Sequence, residues 1–299
     1  MPGKKVDMVS FLRRPIEVVM DAGLGNEMFQ YAIGRALSIR LERPLVLDIS
    51  LLFQSPGWEF DLPCFRLGEH SVRDLPYPLW LTRTHALRRL ASCGIELMRF
   101  IDEPPLQFSS EPLQVQKPCI LRGFWQNERY FESISRHLRD EFTIIREQDP
   151  RSAECQARIR RVKSIGLHVR RGDYLVPPGG EDFHGTCSME YYDAALRLIL
   201  SRLGPDAELY VFSDDMAWAG ENIRYDLATV YVDWNADRNY EDLRLMSACR
   251  ALIMANSTFG WWAGWLNPRA DKVVVAPRQW FRAPGATSDL PNAPWLIAI

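Results

Sequence analysis

The 299-residue sequence lacks most of the features that would assign it quickly. No apolar run reaches membrane-spanning length, and Asp7, Arg13 and Arg14 cut the apolar stretch that follows Lys4 and Lys5. A signal peptide and a spanning helix are therefore not expected, and the chain reads as cytoplasmic. Cysteines stand at 64, 93, 119, 155, 187 and 249, with no C-x-x-C pair, and the five histidines contain no H-x-x-x-H. Zinc and dithiol chemistry thus lack their usual ligands, and buried thiols in a reducing compartment are favoured over disulfides. Charge of one sign is missing as well: 36 basic against 38 acidic residues leave a net charge of -2. No broad basic field exists to hold nucleic acid, so any anion recognition has to be local. Repeats and low-complexity tracts are absent.

What is present is alternation. "IEVVM" (Ile16–Met20) reads as a strand, a glycine turn follows, "EMFQYAIGRALSIRLE" carries apolar residues at helical spacing, and "PLVLD" (Pro44–Asp48) is the next strand. That is the length of a βαβ unit. Residues 54–80 are rich in proline and aromatics and read as loop. The segment "PLWLTRTHALRRLASCGIELMRFI" reads as a core-packed helix, with membrane-surface contact as the alternative. "CILRGF" (Cys119–Phe124) is a strand, and a charged helix runs through Val162. After it come the strands "SIGLHV", "ELYVFSD", "ATVYVD", "ALIMAN" and "KVVVAP", separated by helical "SMEYYDAALRLILSRL", "DMAWAGENI", "NYEDLRLMSAC" and "STFGWWAGWL". Such a pattern predicts parallel sheets wrapped by helices. Two α/β halves are expected, 1–150 and 151–299.

Three strand ends and one turn carry the candidate chemistry. In open parallel sheets, ligands bind beyond the carboxyl ends of the strands. Arg170 and Arg171 stand at such an end, and paired guanidinium forks suit phosphate oxygens; a surface ion pair is the plainer reading. Asp173, two residues on, can either align an arginine or take a proton from a hydroxyl. Asp214 and Asp215 end a second strand, where carboxylates can accept from the ring nitrogens of a base or simply cap a helix. Asn256, Ser257 and Thr258 end a third, directly before a helix whose free amides would cradle a diphosphate. In "DAGLGNEMFQYA" Gly23 and Gly25 begin a G-x-G-x-x-G pattern, but Met28 holds the third glycine position, which weakens a dinucleotide-dependent oxidoreductase reading. Asn26 stands beside that turn. His168 lies within a strand, as a buried structural histidine or a catalytic one. Trp261, Trp262 and Trp265 are spaced as core residues of one helix.

Taken together, "GLGNEMFQYAIGRAL", "HVRRGDY", "VFSDD" and "NSTFGWWAGWL", with "HGTCSMEYY" (His184–Tyr192), resemble the α-1,2-fucosyltransferase family, glycosyltransferase family 11 of bacterial type. The resemblance spans roughly residues 16–280. It implies a GT-B-like α/β fold, two Rossmann-like domains facing a cleft, with GDP-fucose bound by the carboxyl-terminal half and a terminal β-galactoside presented by the amino-terminal half. It further implies inverting transfer to a galactose 2-hydroxyl without a required metal or other cofactor, in cell-surface polysaccharide synthesis of the O-antigen type. No D-x-D sequence, the metal–diphosphate ligand of the other glycosyltransferase architecture, occurs in the chain. Another GDP-sugar on the same scaffold, or a non-catalytic glycan-binding protein, are the competing readings.

Within that resemblance, Arg170, Arg171, Ser257 and Thr258 are expected on the diphosphate, Gly25 and Asn26 near the donor, Asn256 and Phe259 beside it, and Asp214 or Asp215 on the guanine edge. Arg170, Asp173 and His168 are the catalytic candidates, with Glu27 and His184 as further candidate bases. Two positions depart from the family pattern, which has glycine for Ala22 and glutamine for Glu27. Ala22 costs the turn freedom if its φ must be positive. Glu27 is expected to be tolerated on the first helical turn.

Overall fold

A computed structural model of the chain describes residues 14–52, 59–74, 99–104, 107–175, 180–235 and 237–299. The chain divides into two compact units, Met1–Thr143 and Ile144–Ile299, a few residues before the division expected near 150.

The amino-terminal unit is built on strands β1 (Ile16–Val19), β2 (Leu45–Asp48), β3 (Ser71–Arg73), β4 (Arg99–Asp102) and β5 (Cys119–Arg122), with helices α1 (Leu24–Leu41) and α2 (Ser135–Glu141). The strands lie in the order β3-β2-β1-β5-β4, and every described pair is parallel. Helix α1 starts three residues earlier than its periodicity predicts, so Gly25 and Asn26 belong to its first turn rather than to the preceding loop. Two further differences concern β3 and β4. Ser71–Arg73 forms a strand inside the stretch expected to be loop, and Arg99–Asp102 forms one where the end of a helix was expected. Both are short edge elements, which gain their ladder from a neighbour rather than from their own pattern. The rest of that expected helix lies outside the described residues.

The carboxyl-terminal unit follows the predicted alternation closely. Helix α3 (Pro150–Arg161) leads into β6 (Ser164–Val169), α4 (Met189–Leu203), β7 (Glu208–Ser213), α5 (Met216–Asn222), β8 (Ala228–Tyr231), α6 (Asn239–Ala248), β9 (Ala251–Ile253), α7 (Thr258–Leu266), β10 (Val273–Ala276) and a short β11 (Ile297–Ala298). The order is β11-β10-β9-β6-β7-β8, again parallel throughout. Strand β6 is buried along its whole length, as expected of a central parallel strand covered on both faces. Leu167, Val169, Leu209, Val211, Ile253 and Val275 pack there against Tyr192 and Ile199 of α4. Trp261, Trp262 and Trp265 are core residues, as their spacing predicts. Two parallel-sheet α/β units in one chain are the fold class expected for a GT-B-like protein.

Strand order fixes where each sheet can hold a ligand. In the carboxyl-terminal unit the chain runs β6, β7, β8 to one side and places β9 on the other, so the switch point lies between β6 and β9. In the amino-terminal unit the same argument puts it between β1 and β5. Crevices form beyond the carboxyl ends of strands at such points.

Candidate active site

Strand β6 sits between β9 and β7, so the three strand ends singled out from sequence are neighbours in space. At the end of β6, the Arg170 guanidinium contacts Asp173 at 2.8 Å and Asp214 at 3.2 Å. Burial disfavours the Arg170 charge, but the carboxylates of Asp214 and Asp173 more than offset this, and its pKa rises. The side chain still keeps 26% of its accessible surface, enough to meet a ligand. Asp214 also accepts from the backbone amides of Arg171 at 2.8 Å and Gly172 at 3.0 Å. A Cβ at Gly172 would come within 2.9 Å of Asp214 Oδ2, which explains the glycine after the arginine pair. The Arg171 guanidinium is held by Asp215 at 3.3 Å and lies over the Trp218 ring at 4.0 Å. The two aspartates therefore place the two arginines. Asp214 thus serves the β6 turn, and Asp215 also accepts from Trp218 N as the cap of α5, so any contact with a base would come in addition to these duties.

Across the switch point, Ser257 caps α7 by accepting from Phe259 N at 3.3 Å. The amides of Thr258 and Gly260 in that first turn have no partner among the described residues. Unpaired amides at a helix start, across the switch point from a partly exposed guanidinium, suit an anion by both geometry and dipole. Asn256 has a different duty from the one expected. Its side-chain NH2 donates to the carbonyls of His184, Gly185 and Trp280 at 3.1, 3.1 and 2.9 Å, and its backbone carbonyl accepts from Tyr174 O–H at 3.0 Å. It is a buried knot that joins the ends of β6 and β9 to the 180s loop. Phe259 is half-buried, its ring 5.9 Å from that of His168.

His168 is not placed for direct proton transfer. It is 5% exposed, its Nδ1 has no hydrogen-bond partner, and burial together with the Arg170 charge lowers its pKa to about 3. It packs as a neutral ring under α7, where Gly260 leaves room for it: a Cβ there would meet Nδ1 at 2.8 Å. His184 is closer to the chemistry. It stacks on Tyr174 with ring centroids 4.5 Å apart and 11° between planes, and burial lowers its pKa. Tyr174 in turn lies 5.6 Å from the Arg170 guanidinium. Asp173 is exposed and ion-paired to Arg170, an arrangement that suits alignment of the guanidinium.

In the amino-terminal unit, Ala22 has φ 63°, so the positive φ that its family position anticipates is real. Gly25 is buried in the first turn of α1. Glu27 lies on the first helical turn, as expected, but is fully buried there. Its carboxyl accepts from Asp61 N and Leu62 N, each at 3.1 Å, and burial, reinforced by Asp61, raises its pKa to about 8. Asn26 Oδ1 accepts from Gln126 Nε2 at 2.8 Å, and Gln30 Nε2 donates to Gly123 O at 3.1 Å, so the ends of β1 and β5 are tied together. Sequence reasoning passed over Gly123–Asn127. No motif marks it; only the pairing of β5 with β1 brings it to the turn that holds Asn26.

Among the described residues no group of three or more His, Cys, Asp or Glu side chains is placed to hold a metal ion. No helix among them is long and apolar enough to cross a membrane.

Comparison with known proteins adds to this geometry. The family described as Glycosyl transferase family 11 matches residues 98–295. An O-antigen biosynthesis glycosyltransferase, WbnK, of Escherichia coli is 30% identical over 292 residues, covering 88% of this chain and 93% of the relative. An α-1,2-colitosyltransferase of Escherichia coli is 31% identical over 269 residues, covering 87% and 90%. A galactoside α-(1,2)-fucosyltransferase 1 of Alouatta caraya is 26% identical over 265 residues, covering 82% of this chain and 63% of the relative.

Proposed function

The chain belongs to glycosyltransferase family 11, and we propose that it is an inverting galactoside α-1,2-fucosyltransferase. In this reading it carries L-fucose from GDP-fucose to the 2-hydroxyl of a terminal β-galactoside during cell-surface polysaccharide synthesis. The observation that carries the reading is the Arg170–Arg171 pair at the β6/β9 switch point, across from the unpaired Thr258 and Gly260 amides of α7. It is a built site for a departing diphosphate.

The acceptor oxygen attacks the anomeric carbon as the bond from that carbon to the β-phosphate oxygen breaks. Positive charge builds on the sugar, as in glycoside chemistry, and negative charge on the phosphate. Arg170 and the amides of Thr258 and Gly260 meet that negative charge. Because Asp173 and Asp214 already fix Arg170, little reorganisation is needed when the charge appears, which is where such sites gain most. Metal independence follows as part of the proposal, since the guanidinium and the helix start supply the positive potential. The acceptor proton leaves once the new bond has largely formed. His184, its pKa lowered and its ring stacked beside the clamp, is the group best suited to receive it, with Asp173 positioning Arg170.

Supply of purified chain with GDP-fucose and a panel of β-galactosides, with and without EDTA, tests this directly. The expected product carries a new α-1,2 linkage, in equal yield in both conditions. No transfer to any member of the panel, or transfer abolished by EDTA, would overturn it. A second donor is favoured by one observation, the 31% identity to the α-1,2-colitosyltransferase. Nucleotide-linked colitose offered in competition with GDP-fucose decides between them.

A further inference from the structure

We infer that the loop leaving β5 is a sugar-binding platform, on which Phe124 carries the C–H face of the acceptor's terminal hexopyranose while Asn26 and Gln126 take its hydroxyls. The inference rests on the glycosyl-transfer reading above and names the residues that would receive the acceptor.

The loop lies at the β1/β5 switch point of the amino-terminal sheet, where a ligand crevice is expected. Phe124 is 40% exposed, although Cys119–Leu121 of β5 before it and Trp125 after it are buried. One exposed aromatic is ordinary; what sets this one apart is the rigidity with which it is presented. Glu103 Oε2 accepts from both Phe124 N and Trp125 N at 2.7 Å, and Gln30 holds the Gly123 carbonyl. Gly123 has φ 145°, and a Cβ there would meet that of Glu103 at 2.4 Å. Trp125 has φ 57° despite its bulk, and its buried indole N–H has no hydrogen-bond partner. Backbone strain of this kind persists only where surrounding contacts enforce it, and it gathers at binding sites.

Polar groups beside the ring have the right character. Gln126 Nε2 donates to Asn26 Oδ1, which leaves Asn26 Nδ2 to donate and Gln126 Oε1 to accept. Adjacent sugar hydroxyls, each both donor and acceptor, match such a pair. An anionic ligand is disfavoured, because the Glu103 carboxylate already occupies the amides of Phe124 and Trp125. An apolar face flanked by neutral amides selects an uncharged pyranose over a nucleotide diphosphate.

Saturation-transfer NMR with methyl β-galactoside, on wild type, Phe124→Ala and Phe124→Tyr, tests the platform without requiring turnover. Melting temperature serves as the control for folding. Phe124→Ala should reduce the transferred signal severalfold and raise the acceptor KM roughly tenfold, while Phe124→Tyr, which keeps the ring, stays near wild type. A wild-type signal in Phe124→Ala would overturn the inference, as would equal loss in Phe124→Tyr or no signal from wild type. GDP release from GDP-fucose by the wild-type enzyme is measured separately. If that fails, the donor assignment falls while the saturation-transfer result still decides the sugar contact.

Discussion

Replacing Asp214 by asparagine separates two accounts of the arginine turn. The carboxylate accepts from Arg171 N at 2.8 Å, from Gly172 N at 3.0 Å and from the Arg170 guanidinium at 3.2 Å. Asparagine keeps the shape but has only one acceptor atom; its NH2 must face an amide or the guanidinium, donor against donor. Hydrogen bonds to a charged group contribute roughly 1.5–3 kcal/mol each, so a net loss of about 2 kcal/mol is expected. For a unit of this size that corresponds to a fall in melting temperature of roughly 4–8 °C. Arg170 also loses one of two anchoring carboxylates, and a misplacement worth about 1.4 kcal/mol in the transition state lowers kcat about tenfold. Thermal melting, kcat with GDP-fucose, and inhibition by GDP against ADP and UDP are the three readouts. Positioning predicts lower melting temperature, lower kcat and an unchanged preference for guanine. Unchanged melting with a selective loss of guanine preference would refute this reasoning and make Asp214 the reader of the base.

Two further perturbations test the family departures. Ala22→Gly should stabilise the chain by about 0.5–1 kcal/mol in denaturant unfolding, because a left-handed alanine costs more than glycine's extra freedom; a destabilised variant would show that the turn is unstrained. Glu27 carries a pKa raised from 4.5 to about 8, so the folded chain holds a proton that the unfolded chain releases. Wild-type stability from this group is complete below pH 4.5 and drains as pH rises towards 8, at no more than about 1.4 kcal/mol per pH unit. Glu27→Gln, whose carbonyl can still accept from Asp61 N and Leu62 N, should lose this slope and gain on wild type steadily from pH 5 to pH 8. Parallel pH–stability curves for the two proteins would contradict that.

The carboxyl-terminal unit was readable because its signals are local. Ser188 and Asp215 cap α4 and α5, glycine and proline punctuate the strands, and β6 ends abruptly in charge. What could not be read there was the partner of each polar side chain. Asp214 and Asp215 look alike in sequence as strand-end carboxylates, yet the neighbouring β6 turn captures both. Asn256 looked ligand-facing because it precedes a helix, but it satisfies three carbonyls brought from distant loops. In the amino-terminal unit the difficulty was topological. Strand β5 pairs with β1 about a hundred positions away in sequence, so nothing local announces that Gln126 meets Asn26. The burial of Glu27 on its expected helical turn was illegible for a similar reason: it comes from the Asp61–Leu62 turn, which periodicity within α1 does not reveal.

Calorimetric titration of GDP into wild type and Arg170→Ala, each with EDTA and then with magnesium, tests most directly whether guanidinium and helix amides take the place of a metal. The account predicts one wild-type affinity in both buffers and a roughly 10- to 100-fold weaker Arg170→Ala, about 1.4–2.8 kcal/mol of a charge-assisted contact. Wild-type binding that requires magnesium, or an affinity indifferent to Arg170, would contradict it.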